Sequence, residues 1–401
     1  MYYACIFALL TLFSFCELFG IRTIRKKAFY GISFLLLMLT AGLRYETGGD
    51  WTSYTSIFES IEPIDEVLTG QATAIDTLPI EIGYKYFRFK YLNSIVRFFY
   101  DNVQLLFFIV AACISILIFK TFPIYAPLPQ LSVTVYFGIL FFSLDMIAIR
   151  QGMAVAVLFY AYRFIEERDW KKFLTAIVLA SLFHLSALLV FPLYFLVYRR
   201  FSTRFLCFSF LIFLAVFFLR FNWLTELFQW SLNLISGPDL AHKITTYLTR
   251  DAYAAQRGIT FGLLINIGIF IILILSRKTM DKYHYFNLFL NLFMCYLFVY
   301  FCMFELVELS NRLKYYFMIS LAILLPIWVY SYRDKANRLI SYAFVCWFSF
   351  MYCRAPLLEL PISAAFNPYQ NYIIYSLTGK KSTGYERLMK SDEEFRKARE
   401  Q

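Results

Sequence analysis

The stretch of sequence that decides the fold class runs from residue 103 to residue 121 and reads VQLLFFIVAACISILIFKT. Its only charged residue, Lys120, stands next to the end of the stretch. An α-helix needs about 20 consecutive apolar residues to cross the hydrocarbon core of a bilayer. The stretch therefore predicts a membrane-spanning helix, and similar apolar runs recur along the chain.

The composition of the whole chain also indicates a membrane protein. Of its 401 residues, 60% are hydrophobic and only 16% are charged, which is more apolar surface than a soluble fold can bury. Aromatic residues make up 21%, which suits helices anchored at two membrane interfaces. The net charge of +11 would suggest nucleic-acid binding in a soluble protein. Here most basic residues lie in short loops between apolar runs, so the positive-inside rule explains them and we expect no nucleic-acid partner.

Neither the cysteines nor the first apolar run indicates a metal site or a cleaved leader. The eight cysteines lie within or at the ends of apolar runs and form no CxxC motif, so we interpret them as small buried hydrophobes without metal or disulfide. The apolar run from Tyr2 to Gly20 precedes the basic cluster at 22–27, whereas a signal peptide has the opposite order. We expect a first span with its N-terminus outside.

Apolar run lengths predict an all-α polytopic bundle of roughly 11–12 spans, forming one transmembrane domain over residues 1–379. Besides one or two spans within 173–198, the predicted spans are 2–20, 29–44, 103–121, 131–148, 152–165, 205–220, 259–276, 285–304, 313–330 and 339–353. Two outer loops, at 45–101 and 221–258, are long enough to carry function. The charged C-terminal tail, 380–401, is expected to be poorly ordered.

The stretch 173–198 has two interpretations. As one helix it is long enough to cross once, but Arg199 and Arg200 would then lie outside, against the charge rule. As a hairpin of two short helices turning near His184, it returns these arginines to the cytoplasm. We favour the hairpin, although its arms are short and no Gly or Pro marks the turn.

Six polar or charged residues fall at the outer ends of spans under this topology. They are Arg44, Asp50, Arg150, His184, Arg312 and Arg354. An arginine at the edge of the hydrocarbon is costly, so it is often matched to an anion, and its planar guanidinium suits bidentate phosphate binding. Arginines above an apolar groove would suit a lipid diphosphate. The alternative is that they snorkel to lipid headgroups.

The polar residues beside these arginines also have two interpretations each. Gly48 and Gly49 permit a tight turn, after which Asp50 either caps a short amphipathic helix that includes Tyr54 or holds an arginine or a sugar hydroxyl. Arg150 and Gln151 form a very tight turn between two spans. Gly, Asn or Ser would adopt such a turn at a lower conformational cost, so Arg150 and Gln151 are functional candidates. A structural pair between Arg150 and Asp145 is the alternative.

The third cluster of candidates surrounds His184 and the start of the span at 313–330. A lone histidine on an apolar face is commonly a hydrogen-bonded packing residue, but beside arginines it could orient or deprotonate a hydroxyl. Arg312 and Tyr316 lie one helical turn apart and can share a face. The sequence has no P-loop, GxGxxG, HExxH or GxSxG motif, so chemistry driven by ATP or a nucleotide sugar is not expected. A donor already activated as a lipid diphosphate fits better.

The order and spacing of these motifs resemble the EpsG family over about residues 30–370. The motifs are Leu43-Arg44-Tyr45, Gly49-Asp50-Trp51 with Tyr54, Ile149-Arg150-Gln151 with Ala154, Phe183-His184-Leu185-Ser186, and Asn311-Arg312 before Tyr315-Tyr316. The family comprises bacterial exopolysaccharide-biosynthesis membrane proteins related in role to Wzy-type O-antigen and capsule polymerases.

The resemblance implies a C-type (GT-C) glycosyltransferase membrane fold that works without metal or cofactor. It implies polymerisation of oligosaccharide repeat units linked to undecaprenyl diphosphate, at the outer face of the bacterial cytoplasmic membrane. Expected partners are this lipid-linked oligosaccharide and membrane lipids. A chain-length regulator and other polysaccharide-assembly proteins are further candidates.

The residue roles follow as a hypothesis. The diphosphate would be bound by the four arginines Arg44, Arg150, Arg312 and Arg354. His184 would position or deprotonate the acceptor hydroxyl, and Asp50 and Gln151 would hold sugars or arginines. The remaining substrate contacts would come from aromatic residues, namely Tyr54, Tyr316, Trp51 and Trp223, although interface anchoring is a common use of such side chains.

Three other functions remain open from the sequence. An O-antigen ligase would use the same donor with a lipid A core acceptor. A lipid-oligosaccharide flippase would have a charged cavity across the bilayer, often with repeated halves, whereas the polar residues here gather at one face. A membrane acyltransferase would also use a histidine, but no accompanying acidic motif is present.

Overall fold

The computed structural model describes residues 1–20, 23–69, 80–221, 223–224, 226–227, 230 and 260–400. Within these ranges the chain is helical, with one isolated antiparallel bridge between Arg44 and Asn371 and no β-strand. This confirms the all-α class. Most of the predicted outer loop at 221–258, including its Gly237-Pro238 break, lies outside the described residues.

Up to residue 200, the chain forms eleven described α-helices, together with a π-helix and a 3-10 helix. They are α1 (Tyr2–Leu18), α2 (Thr23–Gly42), α3 (Trp51–Glu59), α4 (Ile64–Thr69), α5 (Ile80–Phe99), α6 (Val103–Tyr125), α7 (Pro129–Tyr136), the π-helix (Phe137–Ile147), α8 (Ile149–Ala161), α9 (Arg163–Glu166), α10 (Trp170–Phe183), the 3-10 helix (Leu185–Leu193) and α11 (Tyr194–Val197).

The second half continues with helices on both sides of the long loop. They are α12 (Thr203–Phe218), α13 (Phe261–Leu275), α14 (Arg277–Met280), α15 (Phe286–Cys302), α16 (Val307–Met318), α17 (Leu321–Ser331), α18 (Lys335–Leu358), α19 (Ile362–Phe366), α20 (Tyr372–Thr378) and α21 (Gly384–Glu400).

Three helices among the described residues are long and apolar enough to cross a membrane by themselves. They are Val103–Tyr125, Pro129–Ile147, which joins α7 to the π-helix, and Leu309–Ser331, which joins α16 to α17. Five shorter apolar helices of 10–17 residues accompany them. The chain is therefore a helical membrane protein, while the count of roughly 11–12 spans and the GT-C fold stay predictions.

Helix α8 lies at the centre of the bundle and packs against α6, α10 and the π-helix. A Cβ atom added to Gly152 would collide with the carbonyl oxygen of Leu144, so α8 starts in direct backbone contact with the π-helix. Only Ala148 separates the two elements. The predicted near-absence of a loop before Arg150 is confirmed, and this close packing is its cause.

The stretch 173–198 is a hairpin, as the charge rule favoured. Near its two ends, the rings of Phe173 and Tyr194 lie 5.6 Å apart, so the second arm runs back along the first. The turn uses an extended His184, with φ −148° and ψ 117°, in place of Gly or Pro. The returning arm is mainly 3-10 helix, which rises about 2.0 Å per residue against 1.5 Å in an α-helix. This extra rise compensates for the short arm.

The C-terminal tail is ordered, contrary to the expectation from its charge. Residues of α21 pack on α19, and the side chain of Arg387 is only 6% exposed. Its guanidinium donates to the carbonyl oxygens of Glu46 at 2.8 Å and Pro368 at 2.9 Å. A charged helix can therefore be folded because one arginine satisfies backbone carbonyls that would otherwise be buried without a donor.

Replacing Arg387 with alanine is expected to loosen the segment that joins α2 to α3. Each buried carbonyl left without its donor costs about 1–3 kcal/mol. The amides of Tyr45 and Gly48, which donate to Gln370 and Ala365, should then exchange faster with deuterium, as peptide-level mass spectrometry can measure.

The matched control is Arg396→Ala, which removes an exposed arginine from the same helix. Its exchange pattern over 43–51 should equal that of the wild type. Equal protection of this segment in the Arg387 and Arg396 variants would contradict a holding role for Arg387.

Candidate functional site

A cavity of about 300 Å³ opens where four parts of the chain meet. Its lining residues are Asp50, Ser53, Tyr54, Ile57, Ala148, Arg150, Gln151, His184, Asn311, Arg312 and Tyr315. They come from α3, the start of α8, the hairpin turn and α16. We call this space the arginine cavity, and the end of the bundle that holds it the cavity end.

Six of the nine predicted site residues line the arginine cavity, and five further lining residues were not predicted. The six are Asp50, Tyr54, Arg150, Gln151, His184 and Arg312, and the five are Ser53, Ile57, Ala148, Asn311 and Tyr315. Helical spacing could have found most of the five. Ile57 lies one helical turn after both Ser53 and Tyr54, and Tyr315 lies one turn after both Asn311 and Arg312.

His184 is held between an arginine and a chain of hydroxyl groups. A guanidinium nitrogen of Arg312 lies 3.1 Å from Nε2, and Nδ1 lies 2.6 Å from the Ser186 hydroxyl. Because a guanidinium only donates, Nε2 must accept and the ring proton belongs on Nδ1. The Ser186 hydroxyl in turn lies 3.1 Å from the phenol of Tyr316.

Tyr316 lies behind the cavity wall. Its side chain is fully buried, and its backbone carbonyl accepts a 2.7 Å hydrogen bond from Tyr162, the residue that follows α8. Gln151, on α8, donates its amide to the carbonyl of Arg312. Tyr316 and Gln151 therefore fix α16 against α8, and this contact sets the position of Arg312 at the cavity.

Arg150 and Tyr54 form another wall of the cavity. The guanidinium of Arg150 lies 5.9 Å from the centre of the Phe89 ring, a cation–π arrangement, and it is hydrogen-bonded to the Tyr54 phenol. Burial raises the pKa of Tyr54, while Arg150 acts in the opposite direction. The phenol therefore stays neutral at physiological pH and can donate a hydrogen bond.

Arg44 is buried behind this wall and does not line the cavity. Its side chain is 1% exposed and donates to the carbonyl oxygens of Ala41 at 2.7 Å and Asp145 at 3.1 Å. The guanidinium also lies 4.5 Å from the ring centre of Phe107. The Phe107 ring in turn contacts the ring of Tyr54 in the cavity lining, so Arg44 lies behind that lining.

Two other predicted residues lie away from the cavity. Arg354 is half exposed at the end of α18 and pairs with Glu359. Trp223 donates its indole N–H to the carbonyl of Cys302, 2.9 Å away. The span model placed both near the outer end, but it could not tell which side of the bundle each would face.

The turn before α3 is as tight as the two glycines predicted. Gly48 has φ +100°, and a Cβ atom there would lie 2.5 Å from the carbonyl oxygen of Met146. Only glycine fits such a conformation and approach. Asp50 occupies the N-cap position of α3, yet its side chain makes no capping hydrogen bond and lines the arginine cavity.

The donor set of the cavity suits an anion with sugar hydroxyls around it. Two guanidinium groups, an imidazole, two amides and two phenols face the space, against the one carboxylate of Asp50. Within the part of the chain that the structure describes, no three His, Cys, Asp or Glu side chains come together as a metal site would require.

The fold and this cavity define a polytopic helical membrane protein with a cationic cavity at one end of its bundle. The EpsG family model matches residues 27–371, so the chain belongs to the EpsG family, as its motifs indicated. No curated protein matches the chain significantly, and no solved structure does.

Proposed function

We propose that this protein is a polysaccharide polymerase, a glycosyltransferase that joins oligosaccharide repeat units carried on undecaprenyl diphosphate. Membership of the EpsG family supports a role in polysaccharide biosynthesis. The observation that carries the proposal is that Arg150, Arg312 and His184 line one cavity, with Arg312 in contact with His184. Two guanidinium groups in one cavity suit the charge of a diphosphate.

The arginines would act on the leaving group. In the proposed reaction the acceptor hydroxyl oxygen attacks the anomeric carbon of the donor sugar, and the bond from that carbon to the phosphate oxygen breaks. Negative charge then grows on the departing lipid diphosphate. Arg150 and Arg312 would stabilise that charge by hydrogen bonds and by their positive charge.

His184 would take the proton that the acceptor hydroxyl loses. Its Nε2 accepts from Arg312 in the structure, so it becomes available only when the guanidinium moves onto a phosphate oxygen. Binding of the diphosphate would thus free His184 to act as the base, because the guanidinium of Arg312 can contact either Nε2 of His184 or a phosphate oxygen. Nδ1 keeps its proton on Ser186, which holds the ring in the required tautomer.

The remaining polar groups would hold sugars and arginines. Asp50 faces the cavity with a carboxylate suited to sugar hydroxyls, and Asn311 adds an amide. Gln151 is engaged with the carbonyl of Arg312, so its role would be to place that arginine. Tyr54 would offer its neutral phenol as a hydrogen-bond donor next to Arg150.

The placement of basic residues supports a cavity that opens to the outer face of the cytoplasmic membrane. Helix α8 has Arg150 near its start and is followed by Arg163, and α10 has Lys172 near its start and is followed by His184. Further basic residues at the far end of the bundle include Arg199, Arg277 and Arg338. The positive-inside rule assigns that end to the cytoplasm. Association with a chain-length regulator remains a prediction.

A product assay with two acceptors tests this function against the ligase alternative. Purified protein in liposomes would receive the lipid-linked repeat unit together with a lipid A core acceptor. A polymerase yields a ladder of lipid-linked chain lengths and leaves the core unmodified. Transfer to the core without a ladder would establish a ligase, and no transfer to either acceptor would reject the glycosyltransferase proposal.

A further inference from the structure

Lys314 is a cation of α16 that contacts two lining residues of the arginine cavity from outside it. It is absent from the described lining of that cavity, whereas Asn311 and Tyr315 belong to the lining. Its ammonium nitrogen lies 2.9 Å from the amide oxygen of Asn311 and 5.0 Å from the centre of the Tyr315 ring. Asn311 precedes Lys314 by three positions, which brings the two side chains together on one side of the helix. Lys314 can therefore act on the cavity through its neighbours.

The contact with Lys314 sets the orientation of the Asn311 amide. An ammonium group only donates hydrogen bonds, so the branch of the amide that faces it must be the oxygen. The amide nitrogen lies on the other branch and carries two N–H donors. A hydrogen bond to the oxygen also polarises the amide, which makes its N–H groups stronger donors. A substrate atom that contacts the nitrogen branch must therefore be a hydrogen-bond acceptor.

The position of Lys314 is itself supported by its neighbours. Its contact with the Tyr315 ring lies within the range of about 6 Å that is typical of cation–π pairs. The Tyr315 hydroxyl is hydrogen-bonded to Ser143, which anchors the ring to the π-helix. Because an ammonium group has three donors, the contact with Asn311 is compatible with further partners of Lys314. The Asn311 amide is thus oriented by a side chain that has its own contacts to hold it.

We propose that Lys314 is a positioning residue that holds the amide of Asn311 with its nitrogen toward the arginine cavity, where the N–H groups donate to an oxygen of the sugar carried on the lipid diphosphate. This inference rests on the proposed function, in which Arg150 and Arg312 bind the diphosphate itself. A neutral amide adds no charge, so it suits the hydroxyl, ring or acyl oxygens of a sugar. Lys314 would contribute to substrate selection without touching the substrate.

Asp50 and Asn311 would then divide the recognition of the sugar between them. Both side chains line the arginine cavity. An ionised carboxylate only accepts hydrogen bonds, whereas an amide whose nitrogen faces the cavity donates them. Asp50 would therefore bind the hydrogen of a sugar hydroxyl, and Asn311 would bind an oxygen atom of the sugar. Without Lys314 the amide could rotate to present either branch, and part of the preference for an acceptor oxygen would be lost.

Native mass spectrometry of the purified protein in nanodiscs free of prenyl lipids tests the proposal with two probes. They are the purified lipid-linked repeat unit and undecaprenyl diphosphate without a sugar. The quantity compared is the ratio of the two Kd values, because a loss of folding or of overall charge weakens the binding of both probes together. The ratio therefore isolates the contribution of the sugar contact.

Removing the amide or the lysine should make the protein less selective for the sugar-bearing probe. We expect Asn311→Leu to reduce the preference for the repeat unit about three- to tenfold, as the loss of one hydrogen bond does. Lys314→Met should reduce it by a similar or smaller factor, and Lys314→Arg should restore it. Lys314→Met combined with Asn311→Leu should equal Asn311→Leu alone. Lys282→Met, which removes an exposed lysine after α14, should match the wild type.

A preference that Lys314→Met leaves unchanged would overturn the proposal, and so would a double variant whose loss is the product of the two single losses, since Lys314 would then not act through Asn311. An unchanged preference in Asn311→Leu would overturn it as well, because the amide would then not contact the sugar. These results leave the proposed function intact when both probes bind the wild type. A wild type that does not bind undecaprenyl diphosphate would contradict the proposed function itself, and this inference with it.

Discussion

Replacing Arg312 with glutamine is expected to reduce polymerisation about a thousandfold, because removing one preorganised donor to a developing negative charge costs about 10²–10³ in rate. Arg312 has a second role that adds to this loss, since its guanidinium also contacts Nε2 of His184. Glutamine keeps some length and hydrogen bonding but no charge. The initial rate of chain extension in liposomes measures the effect.

The matched control for this prediction is Arg204→Gln. Arg204 is exposed near the start of α12, at the end of the bundle away from the cavity. Its loss should leave the rate within about twofold of the wild type, as is usual for surface positions. Comparable losses in the two variants would show that overall cationic charge matters and that the arginine cavity has no special role.

Replacing His184 with alanine is expected to reduce the rate about a hundredfold to a thousandfold, within the range of general acid–base catalysis. The variant loses both the acceptor for the hydroxyl proton and the group that holds Arg312 before the donor arrives. Because the base must be neutral to accept a proton, we expect the wild-type rate to decrease toward low pH, and the residual rate of the variant should lose this decrease. Initial rates across a pH series measure both effects.

His284→Ala provides the control, because His284 is exposed next to Tyr285 before α15, far from the cavity. Its rate and pH profile should match those of the wild type. A His184→Ala variant that is slow but keeps the wild-type pH profile would reduce His184 to a residue that positions Arg312.

The sequence could predict the helical elements because long apolar runs have few alternatives to helices in a membrane. It also predicted the hairpin, since the placement of Arg199 and Arg200 required the chain to return. The tight turn at Gly48 and the short connection before Arg150 could also be predicted from the sequence. Motif spacing identified the family from residues that the structure places around one cavity.

What the sequence could not give was the rotation of each helix end and the folding of charged segments. Arg44 and Arg354 both end spans, yet one is enclosed behind Tyr54 and the other is half exposed beside Glu359. A span model predicts how deep each residue lies in the membrane, but it does not predict which side of the bundle the residue faces. The charged sequence of α21 gave no sign that Arg387 is buried, because its partners are the carbonyl of Glu46, 341 positions earlier in the chain, and the carbonyl of Pro368.

The measurement that tests the account most directly is the length distribution of products made by purified protein from purified lipid-linked repeat units, for the wild type and Arg150→Ala. The account predicts a ladder of chain lengths for the wild type and, at equal protein and time, only the starting unit for the variant. Arg150 lines the arginine cavity, and the guanidinium that contacts His184 is that of Arg312, so replacing Arg150 removes a cavity cation and leaves the Arg312–His184 contact in place. No ladder from the wild type, or a full ladder from Arg150→Ala, would contradict the account.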